Sequence, residues 1–220
     1  MINYYDALFF DEQGLKTYSD FVLKHAKGTT LIEMASGTGD MLNLLQEKFE
    51  LTGVDIDPTM IETTQEKYPD LKAELIVGDF RNFNNGKRYD TAVCVGDSTN
   101  YINDKADLQR FVDTMTSLSD VIILDCHHPY RLKEFADDYL EEGSTPEFDY
   151  AYQIEVDGNH LVHVINFLDG TFDTIYQWVF DPKDLAKMLE DKGYYVQMFT
   201  DYETKGYQAE GEKVVMLAKK

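Results

Sequence analysis

The sequence predicts an α/β fold: a seven-stranded, mostly parallel sheet with helices on both faces, plus a small antiparallel β insertion. Three observations carry this. Strand-like apolar runs alternate with amphipathic helical patterns over the first two-thirds of the chain, and the runs are apolar throughout, as strands buried on both faces are. A turn of small residues, Ala35-Ser36-Gly37-Thr38-Gly39, joins the first run to the helix behind it. Later, residues 148–156, 160–168 and 171–180 read as strands separated by Asp157-Gly158-Asn159 and Asp169-Gly170, the pattern of an antiparallel meander.

In chain order, residues 15–26 form an amphipathic helix within an N-terminal helical segment, 1–27. Thr30 to Met34 is the first strand, and the helix after the small-residue turn sets Met41, Leu42, Leu44, Leu45 and Phe49 on a broad face. Leu51 to Asp55 follows, and Asp57-Pro58 opens the next helix, with Asp57 as cap and Pro58 at the first helical position. Glu74 to Val77, Thr91 to Val95 and Val121 to Leu124 are further strands. Between the last two, Asp104 caps a helix carrying Leu108, Phe111, Val112 and Met115 at i, i+3, i+4 and i+7. The antiparallel insertion occupies 146–180, a lid or dimer surface. Asp181-Pro182 then opens a helix stopped by Gly193, and Tyr194 to Thr200 and Lys213 to Ala218 close the sheet. The 220 residues form a single domain, 1–220.

Composition limits the partners. With 41 acidic and 20 basic side chains the formal charge is −21, a field that repels a phosphate backbone, so neither nucleic acid nor an anionic membrane is expected. No apolar run reaches the roughly 18 residues of a spanning helix. Cys94 and Cys126 lie in buried strands without metal-ligand spacing, which suggests a reducing, cytoplasmic setting and no metal site. The start, MINYYDALFF, lacks the pattern of a secretory signal.

The chemistry sits at strand ends. The Gly37–Gly39 turn lets backbone amides approach a ligand, although a tight connection without a ligand would read the same. Asp55 ends the second strand, where an acid accepts from the ribose hydroxyls of an adenosine. Asp79, followed by Phe80, ends the third and can hold an adenine, or merely start a loop. Together, Glu33-Met-Ala-Ser-Gly-Thr-Gly39, Gly53-Val-Asp-Ile-Asp57, Gly78-Asp79-Phe80 and Tyr89-Asp-Thr-Ala-Val-Cys-Val95 resemble the motifs of class I, Rossmann-like, S-adenosylmethionine-dependent methyltransferases, with Ala35 where glycine is commoner. A third glycine, which a nicotinamide fingerprint would place at Leu42, is absent.

Tyr5-Asp6, Gly96-Asp-Ser-Thr-Asn-Tyr101 and the late insertion resemble small-molecule methyltransferases related to amino-sugar N,N-dimethyltransferases. The resemblance implies S-adenosylmethionine as cofactor, S-adenosylhomocysteine as product and a small amine or hydroxyl as acceptor. It implies a cofactor site of Tyr5, Glu33, Ala35, Ser36, Gly37, Gly39, Asp55, Ile56, Met60, Asp79, Phe80, Val95 and Gly96. A protein or RNA acceptor, or a silent cofactor-binding protein, are the other readings. On the acceptor side Asp97, Ser98, Asn100, Tyr101, His127 and His128 follow the fourth and fifth strands. Tyr101 and His128 are the expected catalytic pair, with His128 as base or acceptor-orienting group. His160 and His163 fall on opposite faces of an insertion strand and read as structural or solvated. The acidic stretch 137–142 reads as a solvated face or an attractor for a cationic amine, and the aromatic-rich insertion as a surface for a possible homodimer.

Overall fold

A computed structural model describes residues 4–137 and 139–220, with the side chain of Tyr5 excepted. The main sheet has the order β11-β10-β12-β5-β4-β1-β2-β3. Its parallel half comprises β1 (Thr30–Met34), β2 (Glu50–Asp55), β3 (Ala73–Val77), β4 (Thr91–Cys94) and β5 (Val121–His127). β12 (Lys213–Lys219) and β10 (Tyr195–Thr200) join antiparallel. The seven expected strands are present, and a two-residue edge strand, β11 (Thr204–Lys205), adds an eighth.

Alternate side chains of each central strand enter two cores. Ile32, Met34, Ile122 and Leu124 pack with Phe111 of α5 (Lys105–Leu118) and Leu185 and Leu189 of α7 (Pro182–Asp191). Leu31, Ile123 and Val215 pack with Phe21 and Val22 of α2 (Glu12–His25) and Met41, Leu42 and Leu45 of α3 (Asp40–Leu45). The expected caps form: the carboxylates of Asp57, Asp104 and Asp181 accept from the N–H groups of Thr59, Asp107 and Lys183, opening α4 (Pro58–Lys67), α5 and α7. Among the described residues no helix is long and apolar enough to cross a membrane.

The N-terminal segment is two helices, because Asp11 interrupts it and caps the second: α1 (Tyr4–Phe9) precedes α2. The antiparallel sheet has four strands, β6 (Tyr139–Ser144), β7 (Asp149–Asp157), β8 (His160–Phe167) and β9 (Phe172–Trp178), in sequential order. The additional strand, β6, is formed by the acidic stretch. Its Glu141 accepts from the hydroxyls of Tyr139 (2.7 Å) and Tyr150 (2.9 Å), so a charged segment pairs with β7 while its residues remain largely exposed. A short helix, α6 (Arg131–Glu134), connects β5 to this sheet.

Chain order diverges between β1 and β4, with β2 and β3 to one side and β5 to the other. Open α/β sheets bind ligands at such a switch point, beyond the carboxyl ends of the strands.

Candidate functional site

A cavity of about 380 Å³ lies at that switch point. Its floor is the turns after β1 and β4, its side is α1 and α2, and its roof is the antiparallel sheet. Glu33, Ala35, Ser36, Gly37, Val95, Gly96 and Tyr101 line it, a set the sequence singled out.

The turn after β1 is left-handed at Ala35 (φ 57°), Gly37 (φ 53°) and Gly39 (φ 80°). The two glycines serve different needs. A Cβ on Gly39 would lie 2.3 Å from Thr64 Cγ2 of α4, whereas one on Gly37 would meet nothing within 4 Å. Gly39 thus seats the turn on α4, and Gly37 keeps backbone open toward a ligand. The Asp55 carboxylate lies beneath, accepting from the N–H groups of Gly37 (2.9 Å) and Asp57 (3.0 Å). Burial raises its pKa against the pull of these donors. Glu33 is buried, with Oε2 lacking a partner, and Ser36 Oγ is likewise unpaired. Burial, together with the nearby Asp55 and Asp40 carboxylates, pushes the Glu33 carboxyl well above the usual range. Such groups are costly to leave unmatched and mark a polar ligand position.

The deep end is built from β4, β5 and the roof. The N–H groups of Gly96 and Asp97 donate to the two Asp125 oxygens, each at 3.0 Å, and Tyr202 donates to Asp125 as well. This clamp holds Asp97 at φ 64°. Lys213 of β12 donates to Asp97 Oδ2 (2.5 Å), while Asp97 Oδ1 is buried without a hydrogen bond, 3.4 Å from His127 Nδ1. Burial alone would raise the Asp97 carboxyl; Lys213 and His127 bring it down to about 2. The other His127 nitrogen, Nε2, is 2.7 Å from Gln177 Oε1 of β9. Asn100 joins the two sheets, accepting from the His127 N–H (2.9 Å) and donating to the Trp178 carbonyl (2.7 Å).

His128 is corrected by the structure. It is 1% exposed and absent from the cavity wall. Its Nδ1 accepts from the Tyr130 N–H (3.0 Å), its Nε2 lies 3.2 Å from the Gln208 carbonyl, and its ring stacks on Tyr207. Neighbouring residues of an extended chain face opposite ways, and it is His127 that turns inward. His163, expected to be structural or solvated, also lines the cavity. It lies in phase with buried Leu161 and Ile165, the one sequence signal that points inward. Arg131, Tyr152 and Gln177 complete the deep end and carried no comparable signal.

Of the other expected residues, Gly39, Asp55, Ile56, Met60, Asp79 and Phe80 do not form this wall. Gly39 and Asp55 support the turn from behind. Ile56 is 58% exposed beyond β2, and Met60 is half-buried on α4. Asp79 is gripped by Arg81, whose guanidinium also reaches Asp107 (2.8 Å), and this hydrogen bonding holds the Asp79 carboxyl below its ordinary range. Phe80 packs edge-on against Phe111. The Tyr5 side chain lies outside the described residues.

Residues 31–119 match the methyltransferase domain family. Over 206 residues the chain is 24% identical to the YqeM protein of Bacillus subtilis (strain 168), which carries the provisional name of a methyltransferase; the match covers 86% of this chain and 83% of that one. Over 147 residues it is 25% identical to the dTDP-3-amino-3,6-dideoxy-alpha-D-glucopyranose N,N-dimethyltransferase of Streptomyces fradiae, covering 65% of this chain and 53% of the relative. The fold superimposes on an S-adenosylmethionine-dependent methyltransferase of Clostridium acetobutylicum ATCC 824 with a TM-score of 0.84 at 23% identity, over 98% and 95% of the two chains.

Proposed function

We propose that the chain, whose residues 31–119 match the methyltransferase domain family, moves the methyl group of S-adenosylmethionine onto a nitrogen or oxygen of a small molecule. The observation that carries the reading is one cavity joining two unlike ends. At one end an open glycine turn meets the unpaired Glu33 and Ser36 atoms; at the other stand His127 and Asp97.

The residues fit the cofactor. An ammonium group beside Glu33 would satisfy its unpartnered oxygen and favour its ionised form. Ser36 and the backbone of Ala35, Gly37 and Gly96 would hold the rest of the amino-acid portion. Asp55 retains lone pairs for ribose hydroxyls, and Ile56 and Met60 offer apolar surface to an adenine. Asp79 and Phe80 stand farther round, Asp79 sharing its carboxylate with Arg81. Val95 backs the floor. The chemistry the bound cofactor supplies is a methyl group on a sulfonium, open to in-line displacement. The protein's part is to align the acceptor, exclude water and take up a proton. His127 is the proton acceptor in this reading, with Tyr101 at the same wall.

The buried free thiols Cys94 and Cys126 fit a cytoplasmic enzyme, and the charge of −21 fits an acceptor that is not nucleic acid. The exposed Leu168, Phe172 and Tyr176 of the roof offer a face to a second copy, which light scattering would detect.

Calorimetric titration with S-adenosylhomocysteine, with NADH as control, tests the cofactor. Saturable micromolar binding, about −8 kcal/mol, is expected for the former alone, and Asp55→Ala should weaken it by about 1–3 kcal/mol. A folded protein that binds neither would reduce the glycine turn to a structural connection.

A further inference from the structure

We propose that the acceptor is a small free amine, bound as its ammonium, and not an amine carried on a nucleoside diphosphate. This rests on the methyl-transfer reading above and narrows it. The relative from Streptomyces fradiae is named for a dTDP-linked amino sugar, so the two acceptor classes make opposite demands on the cavity. A diphosphate needs cations with hydrogen bonds to give; an ammonium needs acceptors.

The cations at the cavity stand among carboxylates. At the mouth, Lys67 bridges Asp6 (2.6 Å) and Asp40 (2.9 Å), and Asp11 adds a third carboxylate. At the deep end Lys213 is held by Asp97. Arg131 is the one guanidinium among the described residues of the wall; its Nη1 lies 2.7 Å from Glu134 and 3.9 Å from Glu212, and its Nε is buried without a hydrogen-bond partner. His163 adds no charge at neutral pH, because burial and the neighbouring His127 lower its pKa to about 4. A diphosphate entering this cavity would meet carboxylates first and find a single guanidinium, already paired with Glu134 through Nη1.

An ammonium finds the reverse. Asp97 is ionised and keeps an oxygen without a hydrogen bond. His127 Nδ1 stands 3.4 Å from it, the ring oriented by the contact of Nε2 with Gln177 Oε1, and Ile154 and Ile175 supply apolar wall for a carbon frame. The step then balances. The bound ammonium gives one proton to His127, and the freed nitrogen pair forms the new N–C bond to the methyl carbon. The S–C bond breaks with its electrons going to sulfur, and the product leaves as a methylated ammonium. The imidazolium produced lies 3.4 Å from Asp97 Oδ1 and 2.7 Å from Gln177 Oε1, two acceptors placed to stabilise it.

The test uses the full chain saturated with S-adenosylhomocysteine, whose own binding is read first; failure there overturns the methyl-transfer reading itself. Three probes are then titrated: the methyl glycoside of 3-amino-3,6-dideoxyglucose, the same sugar as its dTDP ester, and dTDP alone. The glycoside should bind at least tenfold more tightly than the dTDP ester, and dTDP should not saturate. Asp97→Asn should weaken the glycoside by roughly tenfold, about 1.4 kcal/mol, with S-adenosylhomocysteine affinity unchanged. The three-probe comparison on the unaltered protein stands if that variant does not fold. Tighter binding of the dTDP ester, saturation by dTDP, or no binding of the glycoside overturns the proposal.

Discussion

His163 lies between Leu161 and Ile165 on β8, with Tyr152 stacked on its ring and the Tyr152 hydroxyl 2.5 Å from its Nδ1. Burial, then the neighbouring His127, hold its pKa at about 4 against an ordinary 6.5. A histidine that binds its proton less readily when folded destabilises the fold on acidification. The cost is absent above pH 6.5, grows as pH falls through the window to 4, and amounts to roughly 3 kcal/mol at its lower end. His163→Gln, which keeps a polar group without a titrating one, should therefore flatten the fall in unfolding free energy between pH 6.5 and 4 by up to about 3 kcal/mol. Urea denaturation at a series of pH values measures it, and an identical slope in the variant would show that His163 does not titrate across that window.

α1 links the roof to the floor. From this helix Tyr4 donates to Asp173 of β9, Phe9 packs edge-on against Tyr152 of β7, and Asp6 accepts from Thr38 (2.9 Å) and Lys67 (2.6 Å) beside the glycine turn. Partly exposed charge contacts of this kind contribute about 1 kcal/mol, which is about a fivefold bias toward the closed position. Asp6→Asn should raise amide hydrogen exchange over residues 4–9 by roughly that factor while leaving exchange in β1 and β5 unchanged. Equal exchange would place the closing force in the aromatic contacts instead. The helix also shows where sequence reading runs out. Central elements were legible because two-sided burial writes itself as apolar runs, as in Leu31–Met34 and Ile122–Leu124, and because Asp57-Pro58 and Asp181-Pro182 open helices in a recognisable way. β6 was not: an edge strand exposed on both sides has no burial pattern, and its glutamates are satisfied by tyrosine hydroxyls that only pairing supplies. The glycine turn was legible for the same local reasons as the caps. The deep end was not, since Gln177, Arg131 and Tyr152 gain their meaning from the roof folding back over β5, and nothing local distinguishes His127 from His128.

Across the whole molecule, 41 acidic side chains against 20 basic ones set up a negative field, and Asp6, Asp11 and Asp40 concentrate it at the cavity mouth. A field of this sign discriminates between cofactor and product, because S-adenosylmethionine carries a sulfonium charge that S-adenosylhomocysteine lacks. The two ligands otherwise differ only by the methyl group, so the salt dependence of their affinity ratio isolates the electrostatic contribution. Salt shortens the reach of exposed charges from about 30 Å at 0.01 M to about 8 Å at 0.15 M. Raising ionic strength across that range should therefore lower the affinity for S-adenosylmethionine relative to S-adenosylhomocysteine by roughly two- to fivefold. Parallel titrations of both ligands at the two salt concentrations give the ratio directly. A ratio that stays constant would mean that Lys67 cancels the mouth carboxylates locally, leaving Glu33, Asp55 and the buried Asp97–Lys213 pair as the charges a ligand feels. A falling ratio would mean that the excess of acidic surface helps to draw the charged cofactor in and, once the methyl group has moved, weakens the hold on the product.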